Sequence, residues 1–178
     1  MNRARLATVW LDGCSGCHMS FLDMDERLIA LAERADLVYS PLVDSKEFPE
    51  GVDITLVEGA VSTDEDIEKI RHIRGRTKLL VSLGDCAVTS NVPAMRNPFP
   101  VVQVMERAYV ENADIRQGVE FTGVLPRLLD RVRPVHEVVP VDVFVPGCPP
   151  PADAIHYVLD ALLDGRQPDL TGQTRFGR

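Results

Sequence analysis

Apolar runs alternate with helical periods along most of the chain, and this alternation constrains the fold more than any other feature. RLATVWL (5–11), DLVYS (36–40), the 53–58 stretch of VDITLVEGA, KLLVSLG (78–84) and VDVFVPG (141–147) are short, rich in Val, Leu and Ile, and read as strands. The 53–58 run is apolar on both faces, as a central parallel strand is. Between the runs the period changes. Phe21, Met24, Leu28, Leu31 and Ala32 fall on one face of a helix that starts near Ser20. STDEDIEKIRHIRG carries Thr63 or Ser62 as N-cap, acids in the first turn, an Ile67, Ile70, Ile73 stripe and Gly75 as a stop. PADAIHYVLDALLDG buries Ile155, Val158, Leu159, Leu162 and Leu163 and ends at Gly165.

The 91–122 region is less regular: NVPAMRNPFP reads as loop, and VVQVMERAYVEN fits helix or strand. LPRLLDRV (125–132) is expected as a short helix, and 166–178 as a mobile tail or a strap that docks a partner. Strand–helix alternation predicts an α/β domain, doubly wound, with a mostly parallel sheet and helices on both faces. The 178 residues suit a single domain.

Composition removes several classes of function. Hydrophobic residues at 45 % and charged residues at 26 % are ordinary globular usage. A net charge of −8 with no basic stripe argues against a nucleic-acid partner. No apolar run approaches the roughly 18–20 residues that span a bilayer, so direct membrane insertion is not expected. MNRARLATVWLDG has neither a twin-arginine pair nor a signal-peptide cleavage site, which points to the cytoplasm. Thiols stay reduced there, so the four cysteines need an explanation other than disulfides.

In doubly wound sheets, sites form outside the carboxyl ends of the strands. Cys14 and Cys17 follow the first strand, Cys86 follows the fourth in SLGDCA, and Cys148 follows the last in VPGCPP. All four therefore belong to one edge of the sheet. Each has a glycine nearby (Gly13, Gly16, Gly84, Gly147), which allows close backbone approach. Pro149 and Pro150 stiffen the loop after Cys148.

Three chemistries compete for these residues. A thioredoxin-like dithiol uses Cys14 and Cys17 and leaves the other two idle. Structural zinc usually takes two close pairs, or a pair plus histidines, whereas Cys86 and Cys148 are singletons. Four thiolates on a rigid edge fit a [4Fe–4S] cluster better than either.

WLDGCSGCHMS, VEGAV, SLGDCA and PGCPP occur in an order that resembles the nickel–iron hydrogenase small subunits and the related 20-kilodalton subunit of complex I. The resemblance spans roughly residues 8–160. Its first two cysteines are separated, as in hydrogenases, rather than adjacent, as in the complex I type. The chain also looks like the short small subunit of soluble, cytoplasmic, NAD(P)-linked bidirectional hydrogenases, having no further cysteines beyond Cys148.

The resemblance implies a flavodoxin-like domain with one proximal [4Fe–4S] cluster on Cys14, Cys17, Cys86 and Cys148. It implies a Ni–Fe centre in a large partner subunit, and a diaphorase module holding FMN, further iron–sulfur clusters and the NAD(P) site. Runner-up readings are a complex I-type subunit or a membrane-bound energy-converting hydrogenase subunit. A structural zinc or dithiol protein is the alternative of another class.

Glu58 ends an apolar strand at the cysteine edge, where an unpaired dry carboxylate is costly. Two roles stay open: a group beside the cluster or on a proton path, or a partner for the helix N-terminus at Ser62–Asp66. Asp12 and Asp85 are expected to cap turn N–H groups. His18 is expected to contact sulfur or a partner, and Met19 and Met24 to pack a helix. No GxGxxG or GxxxxGK[ST] motif is present, so a nucleotide fingerprint is not expected. Flavin in this chain is not expected either, because cysteines occupy the loop where its phosphate would lie.

Overall fold

The computed structural model describes residues 3–112 and 125–177. The part of the irregular region at 113–122 lies outside the described residues. In chain order the elements are β1 (Ala4–Trp10), α1 (Gly16–Leu22), α2 (Arg27–Arg34), β2 (Ala35–Tyr39), β3 (Val52–Glu58), β4 (Val61–Thr63) and α3 (Asp64–Arg74). There follow β5 (Thr77–Leu83), α4 (Asp85–Thr89), a 3-10 turn (Val92–Arg96) and α5 (Val101–Glu106), which continues as a π turn to Glu111. The last elements are β6 (Leu128–Arg133), a 3-10 turn (Val135–Glu137), β7 (Val143–Val145) and α6 (Ala152–Leu163).

Five parallel strands form the central sheet in the order β2-β1-β3-β5-β7. Renumbered within the sheet, this is the flavodoxin-like order 2-1-3-4-5, with its switch point between β1 and β3. The doubly wound expectation is met.

Alternation along the strands divides the core into two. Leu6, Ile54, Leu56, Val81, Leu83 and Val145 face a layer containing Phe21, Leu31, Ile155 and Leu159 from α1, α2 and α6, with Met24 from the turn between α1 and α2. Ala7, Val9, Val57 and Leu80 face the other way, toward Ile70 and Ile73 of α3 and toward Val135. Three threonine hydroxyls of the sheet find partners: Thr55 and Thr77 share a 2.8 Å bond, and Thr8 donates to Ser40 at 2.9 Å; the buried Ser82 hydroxyl has none among the described residues.

The α3 start follows its sequence signals. Thr63 is the N-cap; its Oγ1 accepts from Asp66 N at 3.1 Å, while Asp66 Oδ2 accepts from Thr63 N at 2.9 Å.

The helix expected from Ser20 is two helices. The first begins at Gly16, so Cys17 and His18 are helical. Asp25, at φ 50°, breaks the path before Arg27. Met24 packs in the core, but Met19 is exposed.

A larger correction concerns LPRLLDRV. Leu128–Arg133 is a strand, antiparallel to β4, with Val61 opposite Arg133 and Thr63 opposite Leu128. The Asn97 side chain completes the pairing by donating to Val132 O at 3.0 Å and accepting from Val132 N at 2.8 Å. Backbone partners distant in sequence override a weak local helical pattern.

The last residues turn back onto the domain. Leu170 packs against the core, Thr174 Oγ1 donates to Pro146 O, and Gly177 N donates to Asp85 Oδ2 at 2.7 Å. Among the described residues no helix is long and apolar enough to cross a membrane.

Candidate metal centre

All four cysteines lie past the carboxyl ends of parallel strands and are free thiols. Cys14 is exposed in the β1–α1 loop, and Cys17 is buried in the first turn of α1. Cys86 is half-buried in α4, and Cys148 is exposed just after β7, where its bond to Pro149 is cis.

The loops are tied to one another. Gly84 N donates to Val145 O and Asp85 N to Gly147 O, both at 2.8 Å. The Asp85 carboxylate, itself buried, accepts from Gly147 N at 2.7 Å through Oδ1, leaving Oδ2 for Gly177. Asp85 thus fixes the Cys86 loop to the Cys148 loop. Asp12 contributes through its backbone instead, pairing with Ala60 at 3.0 and 2.7 Å.

Glycine is needed at two places. Gly84, at φ 82°, lies against the Cys17 sulfur, and any Cβ there would overlap it. Gly59, at φ 91°, packs on the Leu11–Asp12 backbone, where a Cβ would meet carbonyl atoms at 2.8 Å.

The thiols feel one another. Burial pushes the Cys17 thiol far above its ordinary range, and Glu58, Cys86, Cys14 and Cys148 all push the same way. Burial likewise raises Cys86, to about 11, although a hydrogen bond from the Val92 N–H to its sulfur opposes the shift; Cys14, Cys148 and Glu58 add to it. Metal binding must therefore release protons from these groups. Among the described residues, no three His, Cys, Asp or Glu side chains are grouped to hold a single metal ion.

Glu58 does not serve the α3 N-terminus, which Asp66 and Thr63 already satisfy. Its Oε2 accepts from the His18 backbone N at 3.0 Å and faces His18 Nδ1 at 2.5 Å. Both side chains are only 3 % exposed. The His18 ring stands edge-on to Trp10, with centroids 5.2 Å apart. His18 Nε2 and Trp10 Nε1 are buried without partners among the described residues.

The other histidines lie elsewhere. His72 is exposed, His136 meets Phe144 edge-on and His156 faces Asp160. Sequence reasoning missed Asn91, whose Nδ2 donates to the Cys148 sulfur at 3.6 Å. Its position soon after Cys86 was the one available signal, and it read as plain loop.

Residues 14–162 match the family model described as NADH ubiquinone oxidoreductase, 20 Kd subunit. The chain belongs to this family. The chain is 48 % identical over 172 residues to the "NAD-reducing hydrogenase HoxS subunit delta" of Cupriavidus necator, spanning 94 % of itself and 82 % of that protein. It is 39 % identical over 173 residues to a subunit of the F420-non-reducing hydrogenase of Methanothermobacter marburgensis; that match takes in 94 % of this chain but only 56 % of the relative's length. A chain of a crystal structure of an NAD+-reducing [NiFe]-hydrogenase in the H2-reduced state superposes with a TM-score of 0.93, at 41 % identity, over 98 % of this chain and 99 % of that one.

Proposed function

We propose that this 20 Kd-family chain is the electron-transfer small subunit of a nickel–iron hydrogenase that reduces NAD(P), holding one [4Fe–4S] cluster on Cys14, Cys17, Cys86 and Cys148. The observation that carries this reading is the joining of thiols from three separate loops at the switch-point edge of a flavodoxin-like sheet. Gly84 is kept bare to admit one of those sulfurs.

The donor set fits the group. Without a cation, burial favours the protonated form of Cys17 and Cys86, and four thiolates together need a multi-iron counter-charge. When bound, such a cluster supplies one-electron storage at a potential set by its hydrogen bonds and burial.

The protein's own part is rigidity and shielding. Asp85 ties two ligand loops together, α1 holds Cys17 in the core, and Pro149 and Pro150 stiffen the approach to Cys148. Glu58, held by His18 beside Cys17, is a carboxylate that can keep a proton near the site and pass it toward the large subunit.

The partners are the large subunit with the Ni–Fe centre and a diaphorase module carrying FMN, further iron–sulfur clusters and the NAD(P) site. Similarity to HoxS subunit delta and to the NAD+-reducing [NiFe]-hydrogenase supports this assignment.

The test is anaerobic co-purification with whatever partners accompany the chain. The expected preparation is brown and contains nickel in a partner. In it, Cys86→Ala lowers the iron and sulfide by about four of each relative to wild type. A colourless chain with one zinc and no sulfide would overturn the assignment. A nickel-free, membrane-embedded assembly would support the complex I-type reading instead.

A further inference from the structure

The link from α4 to the following 3-10 turn has an unusual backbone. Ser90 lies at φ 67° and Asn91 at φ 24°, ψ −119°. Two successive non-glycine residues at positive φ are uncommon. Local bonds hold the link: Ser90 N donates to Cys86 O at 3.0 Å, and Ala94 N bridges Ser90 O and Asn91 O at 3.1 and 3.2 Å.

This backbone aims the Asn91 side chain at a cysteine of another loop. Asn91 Nδ2 donates to the sulfur of Cys148, which reaches the site from another strand. Asn91 is the residue before the 3-10 turn Val92–Arg96 and lies outside any helix or strand ladder. Cys148 is also exposed, so its sulfur has little else from the protein to screen it.

We infer that Asn91 is a positioning residue whose side-chain N–H on the Cys148 sulfur raises the reduction potential of the group that this sulfur binds. The inference rests on the cluster reading above. An N–H aimed at a ligand sulfur stabilises the more negatively charged, reduced state more than the oxidised one. The positive φ at Asn91 has a purpose in this account, because it belongs to the link that carries the side-chain amide to the Cys148 sulfur.

The experiment is a redox titration of the intact complex, followed by electron paramagnetic resonance, for wild type, Asn91→Gly and Asn91→Asp. Glycine keeps the positive φ available and removes the donor. Aspartate keeps the shape and replaces the donor with a negative charge. Expected is full iron and sulfide in all three, with the midpoint of this cluster lower in Asn91→Gly and lower again in Asn91→Asp.

An unchanged midpoint in Asn91→Gly with the cluster intact overturns the inference and leaves the cluster reading standing. Loss of the cluster from Asn91→Gly also counts against it, since Asn91 would then hold the loop rather than act on the sulfur. Absence of iron and sulfide from the wild-type chain removes the cluster reading, and this inference with it.

Discussion

At the scale of single residues, the site depends on one missing side chain and on suppressed ionisation. Gly84→Ala places a methyl group on the Cys17 sulfur at a positive φ. Strain of this kind costs about 1–3 kcal/mol. The expected result is a lower urea midpoint and less bound iron, whereas Gly165→Ala, where a Cβ meets nothing, leaves bound iron unchanged. Ionisation gives a second expectation. In the metal-free chain Cys86 titrates near 11, above its ordinary 9.0, chiefly through burial. As pH rises above about 9, the unfolded chain loses this proton while the folded chain keeps it, so stability falls until the folded group also titrates. Cys17 is raised further and extends the loss to higher pH. Denaturant melts of the metal-free chain from pH 8 to 11 should show falling stability; a flat profile would contradict the burial of these thiols.

At the scale of elements, legibility tracks how local the determinants are. The α3 boundaries were readable because cap, acids, isoleucine stripe and closing glycine lie within one stretch of sequence. The strand Leu128–Arg133 was not, because its partners are β4 and the Asn97 amide, roughly 30 to 70 residues away in sequence. Asn97→Ala should therefore loosen this strand selectively. Leaving Val132 N and O without their partner costs about 1–3 kcal/mol. Hydrogen exchange should quicken at Val132 and its neighbours, while the β3 amides stay protected. The break between α1 and α2 was hidden for a related reason: the apolar period runs through Asp25, whose backbone turns without disturbing the pattern.

At the scale of the whole molecule, Asp85 joins the Cys86 loop, the Cys148 loop and the returning C-terminal segment through two carboxylate oxygens. Asp85→Ala leaves two N–H groups without their acceptor. It should free the segment around Arg175 for trypsin and loosen the Cys148 loop, read as faster cleavage and faster chelator-driven loss of iron. Unchanged cleavage would show that Leu170 and Thr174 alone hold the segment down.

The sequence by itself determined the α/β alternation, the parallel sheet and the placing of all four cysteines at one edge, because strand periodicity and the loops after strands are local features. It also marked Glu58 as a carboxylate in an unusual place. Tertiary structure alone decided that Glu58 pairs with His18 rather than with α3, that Gly84 makes room for Cys17, and that Asn91 reaches Cys148. Those contacts form only when strands far apart in sequence register side by side, so no local pattern could carry them.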